Sequence, residues 1–273
     1  MFPSAQELNK HIITIQHSLD GFSYATYNID NQQFTDLKLV SEPDISLKEA
    51  IAEIEIENNC DIKNFKKIIV VFNNNRNTFV PAAVFQNENK DKYLDILGLT
   101  NENSVSCTDF IKNADANNVF AISKEEHEIL ENLSENIEYH HAASVLVASL
   151  VDDNIERVND TRIYLNIKSQ KFEMTVIKGC NLLFDNTFCF KTKEDFLYFL
   201  LFSIDQLHLD AGATPVYFLG MIEEKSKLVE LTSRYVRDIR FVRRDNEINL
   251  APELEETPFY YHYVLYKSLK CEL

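Results

Sequence analysis

Five of the chain's eight arginines, Arg234, Arg237, Arg240, Arg243 and Arg244, fall within eleven residues. A guanidinium offers a planar fork of donors that matches a carboxylate or phosphate two bonds at a time. The spacing therefore suits an anion or partner patch, facing an acidic protein or RNA. The same residues also read as the C-terminal turn of a helix, where cations complement the dipole, followed by a strand with outward charges. The alternation in Arg240-Phe241-Val242-Arg243 fits such a strand and favours this second reading.

Other reactive residue types give no constellation. His140 and His141 are adjacent, and neighbours on a strand point to opposite faces, so no metal site is expected. Cys60, Cys107, Cys180, Cys189 and Cys271 are odd in number and widely spaced, with no CxxC. That pattern predicts free thiols in a reducing cytosol. Nothing near Cys180 or Cys189 is basic enough to mark either as a nucleophile of lowered pKa. There is no Ser-His-Asp arrangement, P-loop or dinucleotide glycine motif, and no catalytic residue is named.

The chain has 273 residues, 45% hydrophobic and 26% charged, with few Gly (5) and Pro (6). These values predict a globular protein with room for two domains. The net charge of −16 repels phosphate backbones and anionic membranes at long range, so nucleic acid is disfavoured as a partner of this acidic protein. The longest apolar run, FLYFLLFSI at 196–204, is far short of the roughly 20 residues that cross a bilayer. No membrane span is expected. The opening MFPSAQELNK has no basic segment followed by an apolar one, so no signal peptide is expected and a cytoplasmic location is.

Residues 11–17 and 22–29 alternate as half-buried strands, with Asp20-Gly21 as the turn. A third strand follows at 34–40, then a helix over 47–57 capped by Ser46, and a buried strand at 67–72, KIIVVF. Thr78 to Val80 are expected to pair back, 86–104 to be irregular, and 119–122 to be a strand. Ser123 with Glu126 predicts a capping box, and a strand at 137–140 and an apolar helix at 142–151 follow. The pattern then restarts: strands at 162–167, 172–177 and 182–190, a helix capped by Thr192, a strand at 215–219, a helix at 223–236, a strand at 239–242 and a terminal helix at 258–269. At an offset of 150, Ile13 falls on Ile163, Ile15 on Leu165, Phe22 on Phe172, Asn31 on Asn181 and Phe34 on Phe184. The repeated order predicts an α/β protein with an internal duplication and mixed sheets flanked by helices, in domains spanning 1–155 and 156–273.

This order, met twice, resembles the actin-like ATPase superfamily of actin, hexokinase-type sugar kinases and heat-shock chaperones, with its ribonuclease H-like domains. The chain looks most like a bacterial family assigned to that fold, domain of unknown function 3822. The resemblance implies two similar domains with ATP in the cleft between them. It also implies an Asp-x-Gly on each first hairpin to hold metal-bound phosphates, and a Gly-Gly after a late strand for the adenosine. The first motif's place is Gln16-His17-Ser18, and the second's is Asn166-Ile167-Lys168. Both carboxylates have become amides, which are poorer Mg²⁺ ligands, and both glycines are gone. Only Gly220 of the Gly-Gly survives, followed by Met221. Lys168 offers a charge for phosphate or is simply solvated.

The degenerate phosphate and adenosine positions are thus Gln16, Ser18, Asn166, Lys168, Gly220 and Met221. The expectation is a fold kept without competent ATPase chemistry, so the protein is read as a non-catalytic scaffold or protein-interaction module. No cofactor is expected, and ATP with Mg²⁺ is disfavoured. A protein partner is expected, and a homodimer is one assembly this reading admits. The alternatives are an ATPase or chaperone-like switch with a rebuilt site, and an RNA-associated factor using the arginine cluster.

Overall fold

A computed structural model describes residues 8–133, 135–154, 159–271 and 273. The chain forms two compact units. The first holds the residues up to Ala148 together with Asn246–Glu256 and Val264–Leu273, and the second holds Ser149–Asp245 and Thr257–Tyr263. Among the described residues, no helix is long and apolar enough to cross a membrane.

The first unit opens with β1 (His11–Ser18), β2 (Gly21–Asn28) and β3 (Gln33–Val40), followed by α1 (Leu47–Asn58) and β4 (Lys67–Asn73). Next come β5 (Asn77–Pro81), α2 (Lys90–Asp95), β6 (Ser104–Ile111), β7 (Ala116–Ser123), α3 (Lys124–Leu133), β8 (Ile137–His141) and α4 (Ala142–Asp152), whose residues from Ser149 on belong to the second unit. One sheet has the order β3-β2-β1-β4-β8 and a smaller one β5-β7-β6. β4 lies between parallel neighbours. Both its faces are covered, which is why its sequence is a continuous apolar run rather than an alternation. Ile13, Ile15, Ile68, Val70 and Phe72 of this sheet form one core with Ala50 and Ile54 of α1.

The second unit contains β9 (Thr161–Ile167), β10 (Lys171–Lys178), β11 (Asn181–Cys189), α5 (Lys193–Gln206), β12 (Val216–Gly220), α6 (Lys227–Thr232) and β13 (Ile239–Phe241). Its sheet order is β11-β10-β9-β12-β13. Phe172 of β10 packs its ring on Phe188 and on Phe196 of α5, at centroid distances of 5.3 and 4.7 Å. A last helix, α7 (Tyr263–Lys267), lies between short 3₁₀ turns.

The two five-stranded sheets repeat one another in order and register. Ile13 pairs with Thr26, and Ile163 with Val176, each 150 residues on. A bulge falls between Thr26 and Tyr27 in one sheet and between Val176 and Ile177 in the other. Beyond the bulge the offset changes. Phe34 pairs with Tyr27 and Leu182 with Ile177, so the counterpart of Phe34 is Leu182, not Phe184.

The caps form as expected. Ser46 with Glu49 and Thr192 with Asp195 make capping boxes. The Glu126 amide donates to the Ser123 hydroxyl at 3.1 Å, while Glu126 Oε2 accepts from the Ser123 amide at 2.7 Å.

Several local expectations change. The first hairpin closes at Ser18 and Gly21, so its loop is Leu19-Asp20. Gly21 is needed for its φ of +131° and because a Cβ there would stand 2.1 Å from the Val40 carbonyl oxygen. β5 pairs with β7, not back on β4. The polar stretch 86–104 contains α2, anchored by the fully buried Leu94. The helix read at 223–236 is confined to α6, and the terminal one at 258–269 is broken into α7 and its flanking turns.

Candidate functional site

The positions named from the resemblance sit on defined elements of each unit. In the first unit, Gln16 lies on β1 between Ser23 and Val71. The Ser18 hydroxyl donates to the Gly21 carbonyl at 3.0 Å and closes the hairpin. In the second unit, Asn166 is buried on β9 opposite Glu173 of β10, and its Nδ2 donates to Glu173 Oε2 at 3.1 Å. Lys168 Nζ stands 3.7 Å from the same oxygen. The side chains of Asn166 and Lys168 therefore both turn to a buried carboxylate.

A second acid stands close by. Thr175 donates to Asp185 Oδ1 at 2.7 Å. Burial, and then the like charge of Glu173, push the Asp185 carboxyl well above the usual carboxylate range. Glu173 and Asp185 escaped the sequence reading. The signal was present: an acid in the otherwise apolar run FEMTVI.

Gly220 ends β12 with φ of +83°. A Cβ there would lie 2.3 Å from the Ile167 carbonyl oxygen and 2.6 Å from Asn166 Oδ1. Close packing on β9 thus explains this glycine. Met221 is half exposed, and its amide donates to the Ile167 carbonyl at 2.8 Å.

The arginine cluster divides. Arg234 pairs with Glu230 one turn earlier on the chain at 2.8 Å, and Arg237 is exposed. Arg240, Arg243 and Arg244 line an open cavity of about 1260 Å³ that lies wholly within the second unit. Arg162, from the start of β9, joins them. Asp153, Glu224 and Asp245 also line it.

Pairing of β9, β12 and β13 puts Tyr164, Tyr217 and Arg240 side by side on one sheet face. The guanidinium carbons of Arg162 and Arg240 stand 5.5 and 5.6 Å from the centroid of the Tyr217 ring. That ring stacks on Tyr164 at 5.0 Å. Arg240 Nη1 donates to the Tyr217 hydroxyl at 2.9 Å. Its Nε and Nη2 grip Asp238 at 2.8 and 2.7 Å. This bidentate grip holds the Arg240 pKa above its ordinary value. Arg162 is 8% exposed. Its nearest acid contact is Asp160, at 3.4 Å, and its Nε has no partner.

His140 and His141 also have structural partners. The ring of His140 meets buried Asp109 at 3.0 Å, and the His141 amide donates to the same carboxylate at 2.9 Å. Among the described residues, no group of three or more His, Cys, Asp or Glu is placed to hold a metal ion.

With this geometry established, similarity to known proteins fixes the family. No protein of curated function matches the sequence. Among solved structures, the chain is similar to a Bacteroides thetaiotaomicron protein with an actin-like ATPase fold and unknown function. The TM-score is 0.77 at 18% identity, over 97% of each chain. It is also similar to a chain of the PilM-PilN type IV pilus biogenesis complex, with a TM-score of 0.57 at 11% identity over 94% of this chain and 97% of that one. At such identities the likeness is one of fold, which is the actin-like fold. The model of the family described as Protein of unknown function (DUF3822) matches residues 3–239, and the chain belongs to that family.

Proposed function

We propose that the protein is a non-catalytic binding module on an actin-like fold, cytoplasmic, with another protein as its partner. The observation that carries this reading is the side-chain chemistry at the hairpins. Gln16 and Asn166 stand where the resemblance implies metal-facing carboxylates. Asn166 is already committed to Glu173, at 3.1 Å. Lys168 is drawn to the same acid. Glu173 adds a buried acid on that hairpin, which a triphosphate would have to approach. These residues do not fit magnesium triphosphate, and no catalytic step is assigned through it.

Two further points support partnering. PilM, a fold neighbour, is solved together with PilN. The RNA reading loses support because Arg234 and Arg240 are engaged by Glu230 and Asp238.

Calorimetric titration with Mg-ATP, alongside a phosphate-release assay, tests the proposal. The expected result is no binding tighter than about 100 μM, roughly −5.5 kcal/mol, and no turnover. Saturable binding with phosphate release overturns it.

A further inference from the structure

We propose that the cavity of the second unit is a docking groove for an acidic, aromatic-containing segment of a partner protein, with one carboxylate seated on the fork of Arg162. The inference rests on the reading of the chain as a binding module and names the chemistry of the partner.

Three observations carry it. The first is polar. Among the described residues, just two buried side-chain polar atoms lack a hydrogen-bond partner, Arg162 Nε and Asn154 Oδ1. Both residues meet at the hydroxyl of Tyr164: Asn154 Nδ2 donates to it at 2.7 Å, and Arg162 hydrogen-bonds to it as well. A buried donor without an acceptor costs about 1–3 kcal/mol, so a native site that keeps one is arranged to receive an acceptor. Arg240 shows the arrangement completed, with Asp238 held on both prongs. Arg162 has the same fork with one prong unused.

The second observation is charge. Four of the chain's eight arginines line this one cavity, in a protein whose net charge is −16. Of the three acids in the lining, Asp153 already accepts from the Tyr263 hydroxyl at 2.9 Å. Asp245 also has an interaction of its own. Arg240 is likewise held by Asp238, and Arg244 has an interaction of its own, so the seat for a carboxylate is the incompletely used fork of Arg162. Stacked Tyr164 and Tyr217 with Phe241 and Tyr260 provide a wall for apolar or aromatic neighbours.

The third observation is form. One wall is the unbroken run Ile239–Asp245, which begins with the edge strand β13. The cavity, at about 1260 Å³, is larger than the roughly 300–1,000 Å³ of small-molecule pockets. A wall of continuous chain beside an open sheet edge suits an extended peptide.

The test is fluorescence anisotropy with a labelled pool of octapeptides that alternate Asp or Glu with Phe, Tyr or Leu. A matched pool carrying Lys in place of the acids is the control, and glutarate stands for a free small carboxylate. The acidic pool is expected to bind and the lysine pool not. Affinity is expected to fall about tenfold in Arg162→Lys, which keeps the charge but loses the fork, and to stay unchanged in Arg234→Gln. Thermal melts of Arg162→Lys and Arg162→Met establish that the variants are folded.

Equal binding of both pools, or none by the acidic pool, or an unaltered Arg162→Lys, overturns the inference. So does full competition by glutarate at concentrations equal to the peptide, which would make this a small-anion site. The two proposals fail separately. Mg-ATP turnover sinks the module reading and leaves an Arg162-dependent groove intact, whereas absent peptide binding without nucleotide binding sinks the groove alone.

Discussion

Arg162 lays its guanidinium 5.5 Å from the ring centroid of Tyr217, while its buried Nε meets no acceptor. A charge held this way costs stability, because desolvation is offset by a 3.4 Å contact to exposed Asp160, the Tyr164 hydroxyl and the ring, and by no close carboxylate. Replacing it with an apolar side chain of similar length removes that cost. Arg162→Met is expected to raise unfolding stability by about 1 kcal/mol. Urea denaturation of the two proteins checks this, and a loss of 2 kcal/mol or more would show that Arg162 supports the fold.

Gly220→Ala should be severe. Its left-handed φ of +83° and the approach of Ile167 and Asn166 leave no room for a methyl group. Strain and displaced β9 together predict a loss of about 3 kcal/mol or more. The melting temperature reports it, and a shift of less than a few degrees would contradict the packing described.

Acid should remove the stability that a neutral His262 gives the second unit, an effect read against Asp185, whose raised pKa acts in the opposite sense. Burial lowers the His262 pKa from 6.5 to about 4. The folded form thus keeps this imidazole neutral, whereas the unfolded chain takes up a proton below its ordinary pKa. The sign follows from linkage: stability is full above about pH 6.5 and falls as pH drops towards 4. Melting curves from pH 7 to 4 should show that decline, and His262→Phe should flatten it.

Cysteine reactivity separates by position. Burial pushes the Cys107 thiol up to about 11, with Tyr139 hydrogen-bonded to it. Cys189 is exposed at the end of β11. Brief iodoacetamide treatment at pH 8 should alkylate Cys189 and spare Cys107, as peptide mass spectrometry would record.

Much of the architecture is legible locally. Ser46 with Glu49, Ser123 with Glu126 and Thr192 with Asp195 announce their helices because capping is a contact three residues long. KIIVVF announces a doubly covered strand by composition alone. What escapes depends on pairing between distant segments. The polar-looking β6, SVSCTDFI, is a strand because β7 lies beside it. Arg162 is a lone cation in the chain, and only the parallel pairing of β9 with β12 brings it to Tyr217. The five clustered arginines drew attention by proximity, yet two of them lie outside the cavity. Glu173 and Asp185 were overlooked because strand alternation predicts faces, not what lies across them.

The path of the chain has a consequence for its synthesis. Phe34 on β3 donates its amide to the Asn249 carbonyl and accepts from the Ala251 amide, and its ring meets Tyr266 at 4.8 Å. The first unit thus takes its finishing pieces from Asn246–Glu256 and Val264–Leu273, which are made after nearly all of the second unit. While the nascent polypeptide is growing, that unit must wait, with Phe34 uncovered, until Asn249, Ala251 and Tyr266 have been added. A premature stop just before Asn246 would leave the early half of the protein unfinished, as well as depriving the second unit of Thr257–Tyr263.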